Sequence, residues 1–235
     1  MGQCIFCLER EASFQSVEHI FPESMGNTAK VLPKGTVCDE CNSRVLAKLD
    51  QELQDFGPIK LVRTFNGVRS KKGKIPSSNF SNLRIDNPNG SDVVLEQLNS
   101  HKSVHDVTPQ GFKLTWKDKR WNSRYLKMIA RALYKIGFEL LCLDHGTDYV
   151  LQERFDEVRS IILGKKDFEG FLLIKKITKN CEEAGVRYIF IPNNPSGLAV
   201  FRFYYFLTDI IFDLEQRYHQ QENSTQWGDY TVLKF

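Results

Sequence analysis

Two Cys-x-x-Cys clips, CIFC at residues 4–7 and CDEC at residues 38–41, constrain the fold of this chain more than any other feature. A Cys-x-x-Cys turn lets both sulfurs point at one ion, and two such turns complete a tetrahedron closed to water. Cys4, Cys7, Cys38 and Cys41 are therefore expected to hold a structural Zn²⁺. A redox pair or four unrelated core thiols is the competing reading, and the matched spacing of the clips speaks against it. The loop between the clips is long, which leaves room for a further element.

That loop carries SVEHIFP at residues 16–22. Glu18 and His19 are neighbours, and neighbouring side chains of a strand point to opposite faces. They can serve one site only where the strand ends and twists, and Pro22, which cannot donate to a sheet ladder, marks such an end. Asn42 follows Cys41 directly, where Leu46, Leu49, Leu53 and Phe56 begin at helical spacing. Asn42 and Arg44 are thus expected in the first helical turn, and Asn42 suits both a helix N-cap and a ligand role. A lone histidine at a strand end is ordinarily a surface residue. Beside Glu18 and between the clips, a neutral imidazole can instead take a proton from water. Carboxylate and amide oxygens suit Mg²⁺ or Mn²⁺ better than a second zinc.

Cys4, Cys7, Glu18, His19, Pro22, Cys38, Cys41 and Asn42 together resemble the HNH (ββα-metal) endonucleases, in the subgroup with a four-cysteine zinc site. The resemblance covers about the first quarter of the chain. It implies a β-hairpin and one helix gripping a divalent cation, Mg²⁺ or Mn²⁺, with Glu18 and Asn42 as its ligands and His19 as the base that activates water. It further implies DNA as substrate, double-stranded by expectation, cleaved by an endonuclease or nickase. A place in restriction or anti-phage defence, with protein partners there, belongs to the same implication. One position departs from the family pattern. The stretch Pro33-Lys34-Gly35-Thr36-Val37 before the second clip lacks the Asn that orients the catalytic His in many relatives, which leaves Asn27 or a backbone carbonyl for that task. A zinc-stabilised nucleic-acid-binding or regulatory module that does not cleave is the alternative.

The rest of the 235 residues, 41% hydrophobic and 26% charged, reads as an ordinary globular protein of α+β class. Residues 1–58 are expected to form the zinc-stabilised module. Residues 59–235 are expected to form a mixed domain of antiparallel-rich sheet and two or three helices, serving DNA recognition or a partner. The net charge of +3 hides a basic surplus between residues 61 and 140, suited to neutralising phosphates. Arg63, Arg69, Lys71, Lys72 and Lys74, with Arg44, are the expected nucleic-acid contacts. A helical stripe from Tyr125 to Leu140 leaves Arg124, Lys127, Arg131 and Lys135 largely off its apolar face. They could lie along DNA or be the solvated face of a core helix. Trp116 and Trp121 could stack on bases or pack. Strands are expected over 91–98, 111–117, 171–177, 187–191, 198–207 and 230–235, a helix over 153–163, and a turn at Asn193–Gly197. The aromatic run Phe201–Phe206 reads as a strand buried on both faces. Cys142 and Cys181 read as spare buried thiols, and His101 and His105 as residues of a solvated loop. No apolar run spans a bilayer and the start shows no signal-peptide pattern, so a cytoplasmic location is expected. The oligomeric state is left open.

Overall fold

The computed structural model describes residues 2–70, 72–100, 102–108, 111–115, 121–176, 184–188, 200–206, 208–214 and 230–235. Lys71, His101, Trp116, Cys181 and the Asn193–Gly197 turn lie outside these residues. The class is mixed α and β with antiparallel sheets.

The first clip forms a tight turn held by Leu8 N–H on Cys4 O at 3.0 Å and Cys4 N–H on Glu9 O at 2.9 Å. An expected hairpin between the clips is reduced to one antiparallel bridge, His19 with Val31. Ile20 N–H donates to Lys30 O at 3.1 Å and Leu32 N–H to Glu18 O at 2.9 Å on either side of it. The second clip opens a helical run that starts as a π-helical turn, Cys41–Leu46, and continues as α1, Ala47–Asp55. Leu46, Leu49, Leu53 and Phe56 are fully buried along it, as their spacing requires. Phe56 adopts an extended conformation, and Pro58 inside the first turn starts α2, Gly57–Phe65.

Three short strands, β1 (Ser78–Asn79), β2 (Leu83–Asp86) and β3 (Val94–Gln97), form one small antiparallel sheet, and β4 (Val104–Thr108) pairs with β5 (Gly111–Leu114) in another. His105, expected in a loop, stands in β4 opposite Lys113. The long helix α3, Ser123–His145, is capped by the Asn122 side chain, which accepts from Tyr125 N–H at 2.9 Å. After α4 (Thr147–Val150) and α5 (Asp156–Ile162), a five-stranded antiparallel sheet closes the fold. Its order is β10-β6-β9-β8-β7, from β6 (Phe171–Lys176), β7 (Ala184–Tyr188), β8 (Val200–Tyr205), β9 (Thr208–Asp213) and β10 (Thr231–Lys234).

The aromatic strand β8 corrects an expectation. Phe201, Phe203 and Tyr205 are fully buried, but Arg202 and Tyr204 on the other face are only half-buried. Arg202 there pairs with Asp209 at 2.7 Å. One face of this sheet is core, and the other sets the Arg202–Asp209 pair beside a small buried apolar cluster of Leu173, Val200 and Ile211, so the strand alternates instead of running apolar throughout.

Helix α3 is the core's centre. Its residues 132–142 are all buried, and α1 packs on it from one side while β7, β9 and β10 approach from another. Gly137 permits the approach, since a Cβ there would stand 3.0 Å from the Phe212 ring and 3.2 Å from that of Phe201. One apolar cluster runs from Cys4 and Phe6 through Phe138 to Phe201 and Phe235. A division at residue 58 therefore does not coincide with a gap in the core. Of the basic residues on α3, Lys127 pairs with Asp167 at 2.7 Å, Arg131 donates to Ile162 O at 2.8 and 3.1 Å, and Lys135 is wholly buried. Only Arg124 of the four is exposed, so α3 is a core helix.

Candidate active site

The four clip sulfurs lie within 4.8 Å of one another. Zinc–thiolate bonds of about 2.3 Å in a tetrahedron set the sulfurs about 3.8 Å apart, and Cys7 Sγ stands 3.6 Å from Cys38 Sγ. Backbone amides already point at the sulfurs, with Cys38 N–H on Cys4 Sγ at 3.5 Å and Cys41 N–H on Cys38 Sγ at 3.4 Å. The thiols share their protons unevenly. A hydrogen bond from Cys41 holds Cys4 down at about 4 and pushes Cys41 itself up, while burial raises Cys7 to about 11. Donor type, number and size all fit one Zn²⁺ with no position left for substrate. Among the described residues no other group of three His, Cys, Asp or Glu side chains gathers in this way.

From this cluster the segment bearing Glu18 and His19 is positioned by Asp39, inside the second clip. The Asp39 carboxylate accepts from Ser16 N–H at 2.7 Å, from Gln15 N–H at 3.1 Å and from the hydroxyls of Ser13 and Ser16. Those donors, the Ser13 hydroxyl foremost, hold its carboxyl well below the usual range. Asn42 adds to the same clasp, its Nδ2 donating to Ser16 Oγ and Val17 O, both at 3.3 Å. Asn42 is not the N-cap that its residue type allows: it lies inside the π-helical turn, where its carbonyl accepts from Ala47 N–H.

Glu18 turns the other way. Its carboxylate is buried, 5% exposed, and stands 2.5 Å from Lys135 Nζ. Lys135 also meets Asp50 at 3.0 Å and Glu139 at 3.4 Å, and donates to His19 O at 3.1 Å. Glu18 and Asn42 thus share no partner: Asn42 holds Ser16 and Val17, while the carboxylate expected to bind the cation meets Lys135. The physical reason is charge: in an interior, an ammonium draws the nearest carboxylate to itself. Burial pushes the Glu18 carboxyl up, and Lys135 counters it. The donor set for a divalent cation is accordingly incomplete in this arrangement.

His19 lies between these two sides, half-buried, with its Nδ1 buried and without a hydrogen-bond partner. Asn27 does not orient it. Its Nδ2 donates to Phe21 O and Lys30 O, both at 2.8 Å, and its Oδ1 accepts from Lys30 N–H at 2.9 Å. Asn27 therefore shapes the turn joining His19 to Val31.

Of the expected nucleic-acid contacts, Arg69, Lys72 and Lys74 are exposed on a turn closed by Ser70 N–H on Lys74 O at 2.8 Å. Arg44 is exposed and paired with Glu40 at 2.5 Å. Arg63 departs from expectation: it is buried, with Nη1 on Gln54 Oε1 at 3.1 Å, and burial depresses its guanidinium. It lines the floor of a cleft of about 410 Å³ shared with Ser24, Asp55, Lys60 and Lys72. Trp121 packs on Phe56, ring centroids 5.5 Å apart. The sequence offered no signal for Asp39 or Asp50, whose partners are remote, and the four-residue spacing of Lys135 and Glu139 on α3 does not reveal that Glu18 and Asp50 join them.

Four clustered cysteine sulfurs beside a Glu-His segment and a helix start define a small module built around a metal site. Comparison with protein families narrows the class: residues 4–56 match the family model described as HNH endonuclease. Neither the curated proteins nor the solved structures provide a match to the chain.

Proposed function

We propose that the protein is an HNH endonuclease that hydrolyses phosphodiester bonds of double-stranded DNA, cutting one strand per site. His19 is its general base. The observation that carries the reading is the position of His19 within the matched segment, on a strand end held by Asp39 and Asn27 and with an unpartnered buried nitrogen. In this reading the imidazole accepts the proton of the attacking water. Mg²⁺ or Mn²⁺, when bound, supplies positive charge against the phosphate, and Asn42 is the side chain proposed to offer it oxygen. Arg69, Lys72 and Lys74 are proposed to neutralise backbone phosphates, and Arg44 and Lys71 are proposed as further phosphate contacts. Restriction or anti-phage defence in the cytoplasm is the biological setting proposed, on the implication of the family alone.

Incubation with supercoiled plasmid and Mg²⁺ or Mn²⁺, with and without EDTA, tests the reading. Wild type is expected to yield nicked circles that EDTA suppresses, and His19→Ala to lose at least a hundredfold in rate. Equal nicking by both chains would end it. A second reading, a zinc-stabilised binding module without cleavage, is favoured by one observation, the capture of Glu18 by Lys135. Plasmid retention without cleavage by either chain would support it.

A further inference from the structure

Lys135 stands outside the matched segment, more than a hundred residues along the chain from the strand it touches. Its ammonium is fully buried in a cage of oxygens alone: Glu18 Oε1 at 2.5 Å, Asp50 Oδ1 at 3.0 Å, His19 O at 3.1 Å, Glu139 Oε2 at 3.4 Å and Ile20 O at 3.5 Å. Carboxylates and carbonyls gathered this way are the donors that a hard cation takes. Here the cation is part of the chain.

Two consequences follow. A Mg²⁺ ion needs ligand oxygens at about 2.1 Å and keeps several of its waters. Glu18 is 5% exposed and its near oxygen is already held by Lys135, so there is no room at that carboxylate for such an ion. The strand bearing His19 is also short of ordinary support. It has one bridge to Val31, and the contacts from Lys135 to the carbonyl of His19 and the carboxylate of Glu18 supply what a longer ladder would give. A buried ion cluster contributes little net stability over an apolar core, and its best-attested use is to fix one register.

We propose that Lys135 is a positioning residue for the His19 strand, and that Glu18 is its buried counter-ion instead of a ligand of the divalent cation. The proposal rests on the reading of His19 as the base. It makes helix α3, which the family model does not include, part of the nuclease site. It also assigns Asn42 and solvent the oxygens that a cation beside His19 would use.

The test uses the full chain as wild type, Glu18→Gln, Lys135→Met and His19→Ala. Mn²⁺ affinity, followed by the loss of the free-ion resonance signal, is expected to stay within twofold of wild type in Glu18→Gln. A tenfold or greater loss would make Glu18 a ligand and overturn the proposal. The carbon-bound ring signals of the histidines provide a second measurement, with that of His19 assigned by its disappearance in His19→Ala. In Lys135→Met the His19 signal is expected to move while those of the other four histidines hold, and nicking is expected to fall at least tenfold at unchanged zinc content. A His19 signal and nicking rate equal to wild type would overturn the positioning role. Should Lys135→Met not fold, Glu18→Gln is expected to move the same signal, and a still signal there counts against the proposal equally. Full nicking by His19→Ala would fail the nuclease reading, while the Mn²⁺ titration would still decide what Glu18 does.

Discussion

Cys38 joins the two clips. Its sulfur faces Cys7 and accepts from the Cys41 amide, and its own amide donates to Cys4. Because zinc binding to such a set is folding free energy, Cys38→Ser is expected to lose stoichiometric zinc and the cooperative melt of the N-terminal segment. Zinc content and thermal unfolding by circular dichroism measure both, and a native melt with full metal content is the contrary result. Glu139 makes the second residue-scale prediction. It is fully buried, and desolvation raises its carboxyl well above the ordinary glutamate value of 4.5 against the opposing pull of Lys135. The native state then keeps a proton that the unfolded chain releases. That contribution to stability is complete below 4.5 and is lost as pH rises through the raised native value. Glu139→Gln, which mimics the protonated form, is expected to gain on wild type in Tm as pH increases. A Tm difference that is flat with pH would refute this.

At the scale of elements, Gly137 shows how α3 meets the sheet. Glycine in a helix interior costs about 1 kcal/mol against alanine, and the return is the close seat on Phe201 and Phe212. Gly137→Val is expected to lower stability by about 1–3 kcal/mol through overpacking, read as a shift in the urea midpoint. Unaltered unfolding would show that the aromatic face can yield. The elements were legible where the signal was local. The clips gave the zinc cluster, the Leu46–Leu49–Leu53–Phe56 spacing gave the helix, and the stripe from Tyr125 to Leu140 gave α3. The π-helical start at Cys41 was not legible, since propensity carries no sign of one wider turn. Nor was the fate of Glu18, which depends on a lysine brought from α3. A carboxylate that can bind either a metal or an ammonium looks the same in sequence, and only the fold decides between them. Arg63 went astray in the same way: a basic neighbourhood says nothing about which of its members turns inward.

The whole molecule is joined across residue 58 by more than its chain. Phe6 packs on Phe138 with ring centroids 5.4 Å apart, Phe21 meets Phe203 edge-on at 5.9 Å, and Lys30 Nζ donates to Val186 O at 3.0 Å. No helix among the described residues is long and apolar enough to cross a membrane. The exposed basic turn acts at long range, so its effect belongs to this scale. Joint substitution of Arg69, Lys72 and Lys74 by Ala is expected to reduce the slope of log affinity for plasmid DNA against log salt by about two to three. An unchanged slope would move the phosphate contacts to another face.

Because α3 carries Lys135 and seats Gly137 against the aromatic sheet two residues later, one helix touches both the segment bearing His19 and the distal sheet. A surgeon's cut between them would leave neither piece with a finished interior. Residues 4–56 lean on this helix and, through it, on the far sheet, which makes that stretch a poor cassette for transplantation.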